Sequence, residues 1–257
     1  MASELLSRIR IILVEPEHAG NIGSAARAMK TMGLSNLILV GPKPDWKTDQ
    51  AQAMAHNATE LLESAQITDS LTTAISDTVG CVATTNRVRR QHAPFLTPPQ
   101  AADWLLDRAT TGPVALVFGR ESIGLTNAEL DGCSIISTVP AATEVPSLNL
   151  AQAVMVYAYE LFQASLSPAA REYPWQPIPQ AEREAFFRRL TQRLEQQRVP
   201  AASTIEDYVS RFRRLFQRLP LESRDLRLLY NLFLDGPRSD RIPEDRSRQP
   251  DRDPREG

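Results

Sequence analysis

Residues Ile9 to Val14 read Ile-Arg-Ile-Ile-Leu-Val, a nearly unbroken apolar run in which polar and apolar positions do not alternate. A strand of this kind is covered on both faces, the condition of a parallel sheet with helices above and below it. Comparable runs recur at Asn36–Val40, 78–84, 113–118 and, shorter, 134–139, each bounded by loop-forming residues. Between the first two runs lies one helical pattern. Asn21 offers an N-cap, Ile22, Ala25, Ala26 and Met29 form the apolar stripe, and Gly33 provides the stop, which makes one βαβ unit. Further helices are expected over 50–64, 70–76, 100–109 and 148–162. The alternation predicts an α/β fold with an open, doubly wound parallel sheet, and the rarity of threaded chains favours an unknotted one.

With 257 residues, 42% hydrophobic and 23% charged, the chain suits one large domain or a domain with an appendage. The apolar stretch near 153–159 is far shorter than the roughly 20 residues of a membrane span, and the N-terminus lacks an apolar leader with a cleavage site. A cytoplasmic location is therefore expected. Cys81 and Cys133 have no C-x-x-C partner and read as buried thiols, while His18, His56 and His92 show no metal-ligand spacing, so no metal is expected. A net charge of −2 argues against nucleic-acid binding by bulk charge but leaves room for local basic patches.

The chemistry sits where strands end. In Asn21-x-Gly23-x-x-x-Arg27, Gly23 and Arg27 share a helix face, so a ligand or loop can approach at Gly23 beneath the guanidinium. The third run delivers Thr84, Thr85 and Asn86, then the basic residues Arg87, Arg89 and Arg90, a ligand edge with a flank for phosphate. The fourth delivers Gly119-Arg120-Glu121-Ser122-Ile123-Gly124-Leu125. Leu125 stands where a P-loop needs lysine, and neither G-x-G-x-x-G nor G-x-S-x-G occurs, so nucleotide hydrolysis, dinucleotide binding and a nucleophile elbow are set aside. The last run ends in Val139-Pro140, and Pro146 and Ser147 then offer a bend and an N-cap to a helix that is apolar on nearly every face. Such a helix belongs in a core or an interface, which points to a homodimer.

Together the three patches, Asn21-x-Gly23-x-x-x-Arg27, Leu116-Val-Phe-Gly-Arg-Glu-x-x-Gly-Leu125, and Val139-Pro140 followed by Ser147-Leu-Asn-Leu-Ala151, resemble the three motifs of the SpoU branch of the SPOUT RNA 2′-O-methyltransferases. The likeness is closest to enzymes that methylate the ribose of cytidine or uridine at nucleotide 32 of the tRNA anticodon loop. It implies a SPOUT-type parallel sheet whose C-terminal part forms a trefoil knot, and S-adenosylmethionine as cofactor. By resemblance Thr84, Thr85, Asn86, Gly119, Val139, Pro146, Ser147 and Leu148 line the cofactor pocket, although Pro146 has no N–H to donate. Arg27, Asn21, Glu121, Ser147 and Asn149 are the implied catalytic set, with Asn21 and Asn149 holding the ribose and the guanidinium and Glu121 orienting the arginines. The family treats the residue matching Arg27 as the base. An arginine is a poor proton acceptor, so stabilising the forming alkoxide is the more economical role. Gly23, Arg87, Arg89, Arg90 and Arg120 are the implied substrate contacts in this part of the chain.

The methyltransferase domain is expected over 1–165, a proline-rich linker over 166–180, a small all-α extension over 181–235 and a disordered tail over 236–257. The extension holds eleven arginines against eight acids, with Arg211, Arg214 and Arg218 on one side, which suits a solvated face or an RNA arm; the resemblance implies an arm for tRNA. Two other readings compete: the same chemistry on ribosomal RNA, and an RNA-binding module on an inactive scaffold. The presence of Arg27, Glu121 and Asn149 speaks against the latter.

Overall fold

The computed structural model describes residues 2–86, 95–142, 148–166, 177–196, 204–217 and 221–235. A short helix α1 (Ala2–Leu6) leads into β1 (Ile9–Val14), α2 (Ala19–Thr31) and β2 (Asn36–Val40). There follow α3 (Asp49–Ala55), α4 (Thr59–Glu63), β3 (Gln66–Thr68), α5 (Leu71–Ala74), β4 (Gly80–Thr84) and β5 (Phe95–Leu96). Then come α6 (Pro98–Ala109), β6 (Val114–Phe118), α7 (Asn127–Gly132), β7 (Ile135–Ser137) and α8 (Leu150–Ser165). The helices α9 (Gln180–Glu195), α10 (Ile205–Gln217) and α11 (Ser223–Tyr230) lie beyond.

The strands form one seven-stranded sheet in the order β3-β2-β1-β6-β4-β7-β5, and every pairing is parallel. The unalternating runs are explained by the two layers that cover them. Ile9, Ile11 and Leu13 of β1 join Val82, Val114, Leu116 and Phe118 in a core shared with α2, α6 and α8. Ile12 and Val14 point the other way, with Cys81, Ala83, Ala115 and Val117, into a second core beneath α5 and α7. Each strand feeds both layers because its side chains alternate.

Several boundaries differ from the sequence expectation for physical reasons. The expected helix over 50–64 is broken: His56 takes φ +54 at the end of α3, and a 3₁₀ turn, His56–Ala58, separates it from α4. The break lets both pieces follow α2, where the ammonium of Lys30 donates to the Asn57 carbonyl and pairs with Glu60. Strand β3 went unread because Gln-Ile-Thr is short, polar and at the sheet edge. Helix α2 begins at Ala19, with His18 at the N-cap, so Asn21 lies inside the first turn rather than capping it. Helix α8 is capped by Asn149, whose Oδ1 accepts from Ala151 N at 2.9 Å while Gln152 Oε1 accepts from Asn149 N at 3.1 Å. The cap expected of Ser147 therefore falls on Asn149.

Helix α8 crosses the core face with Leu150, Val154, Tyr157, Ala158 and Leu161 buried, and leaves Met155 and Tyr159 exposed. Tyr157 is buried and its hydroxyl donates to Ser137 Oγ at 2.8 Å, tying α8 to the end of β7. Burial pushes that phenol up to about 12 and keeps it protonated. The helices after residue 177 share a core of Ile178, Phe186, Phe187, Leu190, Val209, Leu221 and Leu226. The start of α9 docks on the sheet domain: Gln180 N donates to Thr78 O at 2.8 Å, and its Nε2 to Gly132 O at 2.6 Å. No helix among the described residues is long and apolar enough to cross a membrane.

Candidate active site

Three strand ends converge at the carboxyl edge of the sheet, where ligands of open α/β folds bind. Register pairs Ala83 with Val117 and Thr84 with Ser137, so the loops leaving β4, β6 and β7 start at one level. Thr84 Oγ1 donates to Val117 O at 2.9 Å, and Thr85 N donates to Ser137 O at 3.0 Å. Thr84, Thr85, Gly119 and Val139 thus stand side by side although they are far apart in sequence.

The loop after β6 is a tight turn. A Cβ on Gly119 would lie 2.3 Å from both Gly124 C and Leu125 N, so only glycine lets the chain return this closely. Gly124 takes φ +70, and Arg120 and Gly124 form an antiparallel bridge across the turn. The turn is stapled to the loop after β1. The Arg120 guanidinium is nearly buried between two carboxylates, Glu15 on that loop and Glu129 of α7, the latter through Nη1 and Nη2 at 3.0 Å each. These carboxylates raise the guanidinium's pKa further, and the guanidinium holds both of them below the usual carboxylate range. Ser122 donates to Glu17 through N at 3.0 Å and Oγ at 2.9 Å, and Lys43 Nζ adds a third bond at 2.7 Å. The Lys43 ammonium and the Ser122 hydroxyl draw the Glu17 carboxyl down to about 2.

Glu121 points the other way. Its Oε2 accepts from Glu17 N at 2.9 Å, and its Oε1 accepts from Asn21 Nδ2 at 3.0 Å. Asn21 Oδ1 in turn accepts from Asn149 Nδ2 at 2.9 Å. A carboxylate from the second patch, an amide from the first and an amide from the third therefore form one chain of hydrogen bonds. The direction of each bond fixes which way both amides face.

The SpoU rRNA methylase family matches residues 8–159. The chain belongs to the SpoU methylase family. It is 38% identical over 248 residues to the tRNA (cytidine/uridine-2′-O-)-methyltransferase TrmJ of Yersinia pestis, covering 93% of this chain and 95% of that protein. To the protein of the same name from Pectobacterium atrosepticum it is 41% identical over 237 residues, covering 89% of this chain and 96% of the relative. A crystal structure of TrmJ from Z. mobilis ZM4 superimposes with a TM-score of 0.73 at 34% identity, over 86% of this chain and 95% of that one.

Within this SpoU domain the structure shows where the expected site residues lie and what they touch. Among the described residues Glu121 bonds to Asn21 and to the Glu17 backbone, and to no arginine. The Arg120 guanidinium pairs with Glu15 and Glu129. Gly23 is buried, and the chain that approaches it is α3: a Cβ there would meet Ala51 O at 2.1 Å. Arg27 is exposed on α2 and makes no ion pair with a described residue. Asn86 and Leu148 are exposed at the same edge as Thr84 and Asn149, whereas Arg211 and Arg214 lie on α10. Arg87, Arg89, Arg90, Pro146, Ser147 and Arg218 fall outside the described residues, as do 236–257 and most of the expected linker.

Sequence reasoning missed Glu15, Glu17, Ser122 and Glu129, which hold the two loops together. The signal was present for two of them: Glu-Pro-Glu directly after a buried strand puts two acids at the sheet's ligand edge. Cys81 and Cys133 are both buried, with their sulfurs 3.1 Å apart. No cluster of metal-ligating side chains occurs among the described residues.

Proposed function

We propose that this chain transfers the methyl group of S-adenosylmethionine to a ribose 2′-hydroxyl of tRNA, at the cytidine or uridine at nucleotide 32 of the anticodon loop. The observation that carries the reading is the Glu121–Asn21–Asn149 chain, which joins one polar residue from each of the three patches beside the cofactor edge. The names and the nearly full-length coverage of the relatives supply the tRNA and the two pyrimidines.

The edge fits the cofactor by its chemistry. Backbone groups at the ends of β4, β6 and β7 would offer hydrogen bonds to an adenosine, and Ile123 and Leu148, 53% and 43% exposed, would offer it apolar surface. Thr84, Thr85, Asn86, Gly119, Val139 and the 146–148 segment would hold it. Bound there, the cofactor supplies an electrophilic methyl group on a sulfonium. Asn21 and Asn149 hold the ribose, and Glu121 locks Asn21 in one orientation, which keeps the attacking oxygen aligned. Arg27, without an ion pair to a described residue, places positive charge beside the forming alkoxide and an adjacent phosphate.

The same reading includes a trefoil knot. Strand β7 lies between β4 and β5, and an earlier segment of the chain, 85–94, connects those two strands, which supports threading. It also includes a homodimer through the outer face of α8, where Met155 and Tyr159 are exposed, and an RNA arm formed by 181–235 in a cytoplasmic enzyme. Incubation with labelled S-adenosylmethionine and either total tRNA or ribosomal RNA, followed by mapping of the modified nucleotide, tests the activity. Label in the base, or in ribosomal RNA alone, would overturn it.

A further inference from the structure

We propose that the cavity between the start of α2 and helix α3 receives the base of the nucleotide being methylated, and that the Gln50 carboxamide reads that base at its 4-position. This rests on the methyl-transfer reading above and assigns the residue that sets base preference at the same site.

The cavity measures about 640 Å³ and has Asn21 and Asn149 in its wall, so a ribose held by those amides directs its base into it. The opposite wall comes from the β2–α3 loop and α3, with Pro44, Thr48, Gln50 and Met54. Gln50 Nε2 and Met54 Cγ lie 3.4 and 3.7 Å from where a Cβ of Gly20 would stand. The carboxamide therefore lies across the first turn of α2, one residue before Asn21, and Met54 adds an apolar surface for a ring.

Most polar groups of this wall are already committed. Glu17 is held by Lys43 and Ser122, while Asn21 is fixed by Glu121 and Asn149 and Asn149 also by Ala151 N, each amide keeping one N–H for the ribose. Thr48 Oγ1 accepts from Ala51 N at 3.3 Å. The side chains of Gln50 and His18 are the polar ones of the wall that make no hydrogen bond to a described residue.

A reader of both pyrimidines must satisfy opposite demands. Cytidine presents an N4 amine that donates, and uridine presents an O4 that accepts. A carboxamide carries two donors and an acceptor on one rotatable group, so a half-turn matches either base. An imidazole can do so only by exchanging tautomers. Gln50 thus accounts for acceptance of both bases at one position without rearrangement of the backbone.

The test uses the full-length protein and tRNA transcripts that differ only in carrying cytidine or uridine at the methylated nucleotide. Gln50→Glu leaves only acceptors and should shift the cytidine-to-uridine ratio of kcat/KM about tenfold toward cytidine; Gln50→Lys leaves only donors and should shift it about tenfold toward uridine. Gln50→Leu should lower both equally. Any effect of the added charge on tRNA affinity cancels in the ratio. A ratio that stays at the parent value in both charged variants overturns the assignment. So does a shift that follows His18→Phe instead. If the parent protein methylates neither transcript, the reading of the site fails; if it methylates both and the variants keep its ratio, the base-reading role alone fails. Thermal melts identify a variant that does not fold, and the variant of opposite sign then decides.

Discussion

Gly23→Ala separates a packing role from a substrate-contact role by the sign of the change in Tm read beside the tRNA KM. The added Cβ would stand 2.1 Å from Ala51 O and 2.9 Å from Ala51 C, both backbone atoms of α3. An ordinary carbon–oxygen contact is about 3.3 Å, so the two helices must part by roughly 1 Å or more. Overpacking on that scale lies at the upper end of the usual range, about 3 kcal/mol. Replacing glycine by alanine in a helix interior returns about 1 kcal/mol through backbone entropy. The net loss is about 2 kcal/mol, which for a chain of this size lowers Tm by about 4–8 °C. Circular dichroism melts of parent and variant at equal concentration make the measurement, with tRNA KM and cofactor affinity alongside. A higher Tm, as helix propensity alone dictates, combined with a weaker tRNA KM would refute the packing account and restore Gly23 as a point of substrate approach.

Arg120→Met removes a nearly buried charge from between two carboxylates, Glu15 and Glu129, and should cost about 3 kcal/mol, seen as a lower midpoint in urea. A midpoint equal to the parent's would mean the pairs contribute nothing. The pH response of Glu17 follows from its depressed carboxyl: the folded value of about 2 lies below the ordinary 4.5, so its bonds stabilise the loop above about 4.5 and are lost as pH falls through about 2. Carboxyl NMR should place that midpoint near 2, and a midpoint near 4.5 would dissolve the bond to Lys43. Tyr159→Glu on the exposed side of α8 should give a monomer by sedimentation at micromolar concentration, and a variant that stays dimeric would remove this face from the interface. Arg27→Lys should keep a small activity and Arg27→Ala should fall lower by orders of magnitude, with cofactor binding intact in both; single-turnover rates equal to the parent's for Arg27→Ala would remove Arg27 from the site.

The parallel α/β class was legible because strands buried on both faces cannot disguise their composition. Ile9 to Val14 and Val114–Phe118 are apolar at nearly every position, for one cause: two cores, one on each side. The three patches were legible because Asn21, Glu121 and Asn149 are polar residues at the exits of such strands or beside glycine turns. Their pairing was not, since hydrogen bonds across a hundred residues or more leave no periodicity. Arg120 and Glu121 illustrate the limit: adjacent, equally polar and equally plausible as site groups, they diverge only once the turn is closed. The β3 edge strand and the break at His56 were hidden for a related reason, because both are set by what packs against them rather than by their own residues.

The separation of Arg120 from Glu121 also determines where positive charge is left for RNA. Glu15 and Glu129 more than balance the Arg120 guanidinium, and Glu17 takes up the ammonium of Lys43. The loops around the site are therefore joined by ion pairs in which every named cation is taken up by carboxylates. Arg27, exposed and without an ion pair to a described residue, keeps its charge available to a phosphate. A site built this way holds its geometry through the buried pairs and leaves Arg27, among the described residues, available to the substrate. Loss of Arg120 then acts on catalysis by displacing Glu121 and hence Asn21, whereas loss of Arg27 acts by removing charge from an otherwise intact frame. Only the second should reduce the salt dependence of tRNA binding, because a phosphate contact releases a counterion and an internal ion pair does not.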